Sequence, residues 1–332
     1  MAFLIITISI GLLGRTLHSA GFWNSNFRLI CFSEFSVLLF GPTVYLFTCY
    51  VLLKKKYSNK DLIHYVPALL YSTFIVVYFM VPADAVIRER VKTGELFRVI
   101  HICLGFGLMV NSIYLILSWN VLNTFSKEIK NEISYELHLQ FIVNFLRVIT
   151  CSLLFWVVIY FISLLGFQDI ERSIRPFIWV FLAFIILFIT YYGMISPNVM
   201  RVLPEIEFKK YTQSKLSLED LESLRKKLDQ IMINKKPYLN NKLFKAELAQ
   251  MLGVNNPELA RLLNENIGMN FFEYVNYYRI KEFILLAKSD QAKQLTFFGL
   301  AQEAGFNSKT TFNKSFKKLM GVSPSVYFSQ KL

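Results

Sequence analysis

Cysteine, histidine and charge are all scarce in this chain of 332 residues, and each shortage removes a class of function. The four cysteines (Cys31, Cys49, Cys103 and Cys151) each lie inside an apolar run, and no two have the spacing of metal ligands. Neither a disulfide framework nor a zinc site is implied; they read as small core residues. No His/Glu/Asp cluster stands at ligand spacing, and no glycine-rich loop is placed to cradle a nucleotide. No catalytic, metal or cofactor residue is therefore assigned. Charged residues make up only 18% of the chain and apolar ones 54%, too greasy for one ordinary soluble domain. The charge present is unevenly spread. Residues 1–195 hold 15 Lys/Arg against 10 Asp/Glu, whereas the shorter stretch 196–332 holds 21 against 13.

The apolar excess is concentrated in runs long enough to cross a bilayer, which takes about 20 residues as helix. These are Ile30–Leu53, Leu62–Pro82, Phe97–Leu122, Leu139–Leu165 and Phe177–Ile195, preceded by a shorter run, Ala2–Leu13, that reaches span length if Arg15 snorkels. The first run has no basic stretch before it and no small-residue cleavage site after it, so it does not read as a signal peptide. The expectation is about six spans over residues 1–195. Loop lysines and arginines are nearly balanced between the two sides, so orientation rests on the C-terminal part instead. Of the polar residues in or near the spans (Glu34, His64, His101, Asn111, Asn144 and Arg147), Asn111 is the most central, and an interhelical hydrogen bond would satisfy it. Residues 196–216 form a linker, in which Pro204 argues against one long helix.

The C-terminal stretch Leu295–Tyr327 has a different grammar. Thr296 can cap a helix with Leu300, Ala301 and Ala304 as its apolar stripe, and Gly305 stops it. Ser308 can cap a second helix, with Phe312, Phe316 and Leu319 on the inner side. The opposite face carries Lys309, Thr310, Asn313, Lys314 and Lys317, cations and short hydrogen-bonding groups suited to phosphates and base edges. The pattern is a helix-turn-helix. A second one precedes it. Lys242–Leu252 reads as a helix stopped by Gly253, with Asn256 as the next cap, Pro257 at the first helical position, and Leu259, Leu262 and Leu263 facing inward. Glu258, Ala260, Arg261 and Asn264 are left more exposed. Asn270 with Glu273 forms a capping box for a long helix over about Phe271–Lys288, roughly 26 Å long, able to space two recognition helices along DNA. The stripe Leu221, Leu224, Leu228, Ile231 upstream covers barely two heptads, and reads as packing within the domain rather than as a coiled coil.

Glu303-Ala304-Gly305-Phe306, Ser308, Phe312, Phe316-Lys317-Lys318, Gly321, Pro324 and Tyr327 resemble the closing signature of AraC/XylS-type transcription regulators. So do Leu248-Ala249, Leu252-Gly253-Val254, Asn264-Glu265, Gly268, Asn270-Phe271 and Tyr278-Arg279. The resemblance covers about residues 217–328. It implies base contacts at Pro257, Ala260 and Arg261 in the first motif and at Lys309, Thr310 and Lys314 in the second. Arg261, Asn264, Lys309, Thr310, Asn313, Lys314 and Lys317 form the main candidate set; Pro257, Ala260 and Arg279 form a second tier. The runs Phe40–Leu46 and His64–Pro67 resemble the membrane half attached to some bacterial AraC-type regulators, which usually carries one more N-terminal span.

The fold expected is all-α, with three parts: a polytopic helical membrane domain (1–195), a linker (196–216), and an AraC-type domain with two helix-turn-helix motifs (217–332). The function expected is a membrane-anchored transcription regulator, not an enzyme, with its C-terminal domain on the cytoplasmic side of a bacterial inner membrane. Double-stranded DNA and the lipid bilayer are the expected partners; an unidentified signal and pairing into a homodimer are open. The rival reading is a membrane transporter, enzyme or scaffold whose basic tail binds lipid or a protein partner.

Overall fold

The computed structural model describes residues 2–19, 28, 34–137, 139–174, 176–195 and 218–329. Among these, every element is helical apart from one isolated antiparallel bridge. The chain divides into two compact units: Met1–Asn123 with His138–Leu203, and Thr124–Leu137 with Pro204–Leu332. The expected linker, 196–216, lies outside the described residues. One division was not anticipated. The connector Thr124–Leu137, which lies within the N-terminal half of the sequence, packs with the C-terminal unit.

The first unit is built from α1 (Ala2–Ser19), α2 (Val37–Leu53), α3 (Val66–Ile75), α4 (Asp84–Lys92), α5 (Glu95–Glu128), α6 (Gln140–Leu164), α7 (Gln168–Ile174) and α8 (Pro176–Ile195). Among the described residues, three helical stretches, Asn59–Met80, Glu95–Asn131 and Gln140–Leu164, are long and apolar enough to cross a membrane; Ala2–Gly14, Val37–Leu53 and Phe177–Tyr192 are apolar but shorter. The six-span expectation thus meets three helices of spanning length and three shorter ones. Many of their large apolar side chains face outward, Ile102 and Leu165 being 71% and 73% exposed.

Asn111 is buried on α5 and meets α2 beside its internal Pro42. Its Oδ1 accepts from Gly41 N–H at 2.8 Å, and its Nδ2 donates to Val37 C=O at 3.1 Å and to Gly107 C=O at 2.8 Å. Gly41 and Val37 are four residues apart, so the carboxamide meets an amide and a carbonyl one turn apart on the same face of α2. A Cβ on Gly41 would stand 2.7 Å from Asn111 Oδ1, so only glycine admits the approach. The expected interhelical hydrogen bond is present, and it is a packing device.

The second unit holds α9 (Leu218–Asn234), α10 (Lys245–Leu252), α11 (Asn256–Arg261), α12 (Phe271–Leu286), α13 (Phe297–Glu303), α14 (Lys309–Met320) and α15 (Pro324–Ser329). It has two apolar cores, and α12 belongs to both. Its first half sends Phe271, Tyr274 and Val275 into a core with α9, α10 and α11; its second half sends Ile280 and Phe283 into a core with α13, α14 and α15. On α9, Leu221, Leu228, Ile231 and Met232 are buried in the first core, in keeping with the packing reading. Tyr278 on α12 also donates to Asp229 of α9 at 2.8 Å.

Candidate nucleic-acid interface

The second motif is set by its caps. Thr296 Oγ1 accepts from Gly299 N–H at 3.1 Å at the start of α13, and Ser308 Oγ accepts from Thr311 N–H at 3.4 Å at the start of α14. Gly305 makes the turn at φ +95°, with Tyr238 C=O and Arg279 Nε pressed so close that a Cβ there would collide. The stripe Leu300, Ala301 and Ala304 is buried as expected. Behind α14, Phe283 stands edge-on to Phe312 at 4.6 Å and to Phe316 at 5.7 Å. Burying each ring contributes about 1.5–3 kcal/mol, and each favourable ring pair adds about 0.5–1.5. This aromatic wedge fixes the helix that carries the candidate contacts.

Lys309, Thr310, Asn313, Lys314 and Lys317 are all exposed and lie at helical steps along one face of α14. Lys314 Nζ lies 3.6 Å from Glu136 Oε1, and the neighbouring Lys318 pairs with Glu273 at 2.5 Å. Burial raises the Glu273 carboxyl, but hydrogen bonds from Lys318 and Asn270 N–H outweigh it and hold the group below the usual carboxylate range. Leu319, expected to face inward, is 40% exposed, because Tyr327 and Phe328 of α15 close the core beside Phe316 in its place.

The first motif follows the same plan with corrections. Its first helix starts at Lys245 rather than Lys242, because Leu243 and Phe244 pair with the 132–134 segment instead. The cap of α11 is Asn255, not Asn256: Asn255 Oδ1 accepts from Glu258 N–H at 2.9 Å, and Glu258 returns the bond to Asn255 N–H. That shift moves Pro257 to the second helical position. Leu259, Leu262 and Leu263 are buried as expected. Ala260, expected at the surface, is only 3% exposed and packs inward. Pro257 is half-buried, Asn264 is exposed, and Arg261 Nε donates to Glu265 Oε2 at 2.8 Å one turn on. The helix continues through a π-type stretch, Leu262–Ile267, to Gly268.

Arg279 is the largest departure. Read from the sequence as a second-tier contact, it is 1% exposed. All five of its N–H groups are used: Nε to Tyr238 C=O, Nη1 to Ser134 C=O and Asn276 Oδ1, Nη2 to Ser134 Oγ and Asn240 C=O. Burial pushes its guanidinium down to about 9, which still leaves it charged at neutral pH. It is a joint inside the unit, enclosed away from any ligand surface. The capping box Asn270/Glu273 is formed, and α12 ends at Leu286, giving about 24 Å of rod.

Comparison with known proteins places this unit. A family described as a helix-turn-helix domain matches residues 248–330. The HTH-type transcriptional activator AarP of Providencia stuartii is 30% identical over 125 residues, which cover 38% of this chain and 84% of that protein. No solved structure matches the chain.

Proposed function

The chain belongs, through its C-terminal part, to the AraC-type helix-turn-helix family of transcription regulators, and from that premise we propose that it binds specific DNA through both motifs while anchored in a membrane. The observation that carries the reading is α14: five polar or cationic side chains on one exposed face, with a rigid aromatic core behind it. In this reading Lys309, Thr310, Asn313, Lys314 and Lys317 meet the second of two groove segments, and Arg261, Asn264 and Pro257 meet the first. The outward apolar side chains of the first unit support a bilayer as its surroundings, since water would penalise so many exposed at once. A signal received by the membrane half then changes how the DNA-binding unit engages its operator, alone or in pairs.

The test is selection from random duplex DNA by the full chain in lipid nanodiscs at near-physiological salt. Enrichment of a two-part sequence with its parts about one helical turn apart is the expected result. Binding without enrichment, falling steeply with salt, would reduce the interaction to generic charge and overturn sequence-specific regulation.

A further inference from the structure

The segment between α5 and α6 is seated in the DNA-binding unit as a ligand would be. Ile133 and Phe244 form an antiparallel bridge, with Ser134 N–H donating to Leu243 C=O at 3.2 Å and Lys245 N–H to Glu132 C=O at 2.9 Å. Ile133 and Ser134 are fully enclosed. Lys245 Nζ meets Glu132 at 2.5 Å, with both side chains largely buried. Arg279 spends two of its five donors on Ser134. Glu136 then faces Lys314 on α14. One short segment therefore touches the start of α10, the middle of α12 and the exposed face of α14, which are the first motif, the rod and the second motif.

We propose that residues 129–137 are a releasable strap that holds the DNA-binding unit in a low-affinity state. Seated, Glu136 offsets the charge of Lys314 and sets a carboxylate where a DNA phosphate would have to approach. The strap also ties both motifs to one point, so they cannot adjust separately to two groove segments. Released, it returns Lys314 to the DNA and frees the rod. The strap is continuous in the chain with α5 before it and α6 after it, so a rearrangement of those two helices is the event that lifts it. Its seat tolerates release. The cation at Arg279 keeps three acceptors of its own unit (Tyr238, Asn240 and Asn276), and water can take the two vacated donors. The inference rests on the reading that α14 meets DNA.

The test uses the full chain in nanodiscs carrying Ile133→Cys with Phe244→Cys. Partners in an antiparallel bridge have Cα atoms about 4.5–5.5 Å apart, within disulfide reach. Rapid formation of an intrachain crosslink, absent from either single variant, is expected. So is a loss of operator affinity of about tenfold or more that reductant reverses, since the locked chain cannot reach its competent state. Failure to crosslink, or a crosslinked chain that binds as well as the reduced one, would overturn the strap. Glu136→Gln, a change at a partly exposed side chain, checks the charge: affinity should rise about threefold, and the salt dependence should steepen by about one phosphate contact. No change in either would remove Glu136 from the device. The crosslink is read without DNA, so its failure sinks the seating alone. Wild-type chain that selects no operator would sink the regulator reading and leave the seating intact.

Discussion

The two helix-turn-helix motifs share a plan, yet they differ in what stands behind the turn and in what faces outward. In the first, Gly253 turns in open space, where a Cβ would come near nothing but Lys227 Nζ at 3.9 Å; Arg261 is engaged by Glu265, and Ala260 has turned inward. In the second, Gly305 turns against Tyr238 C=O and the buried Arg279, and five polar side chains share one exposed face. The difference teaches that a repeated motif need not divide its work evenly. The second motif is backed by an aromatic core and carries five polar side chains in front. The first has open space at its turn, and its one cation in front, Arg261, is held by Glu265.

The comparison breaks most visibly at the two turn glycines. Gly305→Ala should cost roughly 3–5 kcal/mol, from the positive φ together with the collision, and Gly253→Ala only about 1–2 from its φ. Hydrogen exchange of the α14 and α11 amides measures both; equal losses would show that the turns are equivalent. Next comes DNA affinity. Lys314→Ala should lose about 1–3 kcal/mol on an enriched operator, and Arg261→Ala less, because Arg261 is held by Glu265 at 2.8 Å whereas Lys314 meets Glu136 only at 3.6 Å. Fluorescence anisotropy on operator and scrambled duplexes compares them, and a larger effect at Arg261 would reverse the assignment of the main reader. A smaller effect lies at Glu273, whose folded pKa is depressed. Its contribution is present above the ordinary value of about 4.3 and is lost as pH falls through the folded value. Lys318→Met should flatten that acid limb by a few tenths of a kcal/mol, the scale of an exposed pair. Comparable in size but opposite in sign is Gly299→Ala: the added Cβ meets Leu295 at an ordinary 3.4 Å, so α13 should gain a few tenths of a kcal/mol.

Local chemistry was legible in the sequence and long-range chemistry was not. Thr296, Ser308 and the Asn270/Glu273 box cap their helices as their side chains dictate, and Phe312 and Phe316 turn inward because spacing alone puts them on one side. Of two adjacent asparagines the sequence points to Asn256 as the cap because Pro257 follows it, whereas the structure uses Asn255. Leu319 follows the same spacing as the two phenylalanines but stays exposed, because Met320 and α15 pack against that end of the core instead. Arg279 looked like a surface cation because four of its five hydrogen bonds reach residues 39 to 145 positions away in the chain. The same distance hid the strap: nothing in Glu132-Ile133-Ser134 announces a partner at Leu243-Phe244-Lys245, since backbone pairing carries no sequence signature of its own.

The bridge made by Asn111 has a mechanical consequence. Because one carboxamide is bonded to an amide and a carbonyl one turn apart on α2, the two helices are keyed together like shaft and collar. Sliding α5 by a turn would break two of the three hydrogen bonds of the buried Asn111 side chain, and an unpaired buried amide costs about 1–3 kcal/mol. A displacement of α2 along its axis would therefore meet resistance at α5. The 34 residues of α5 form one helix from Glu95 to Glu128, so that resistance acts on a single continuous rod.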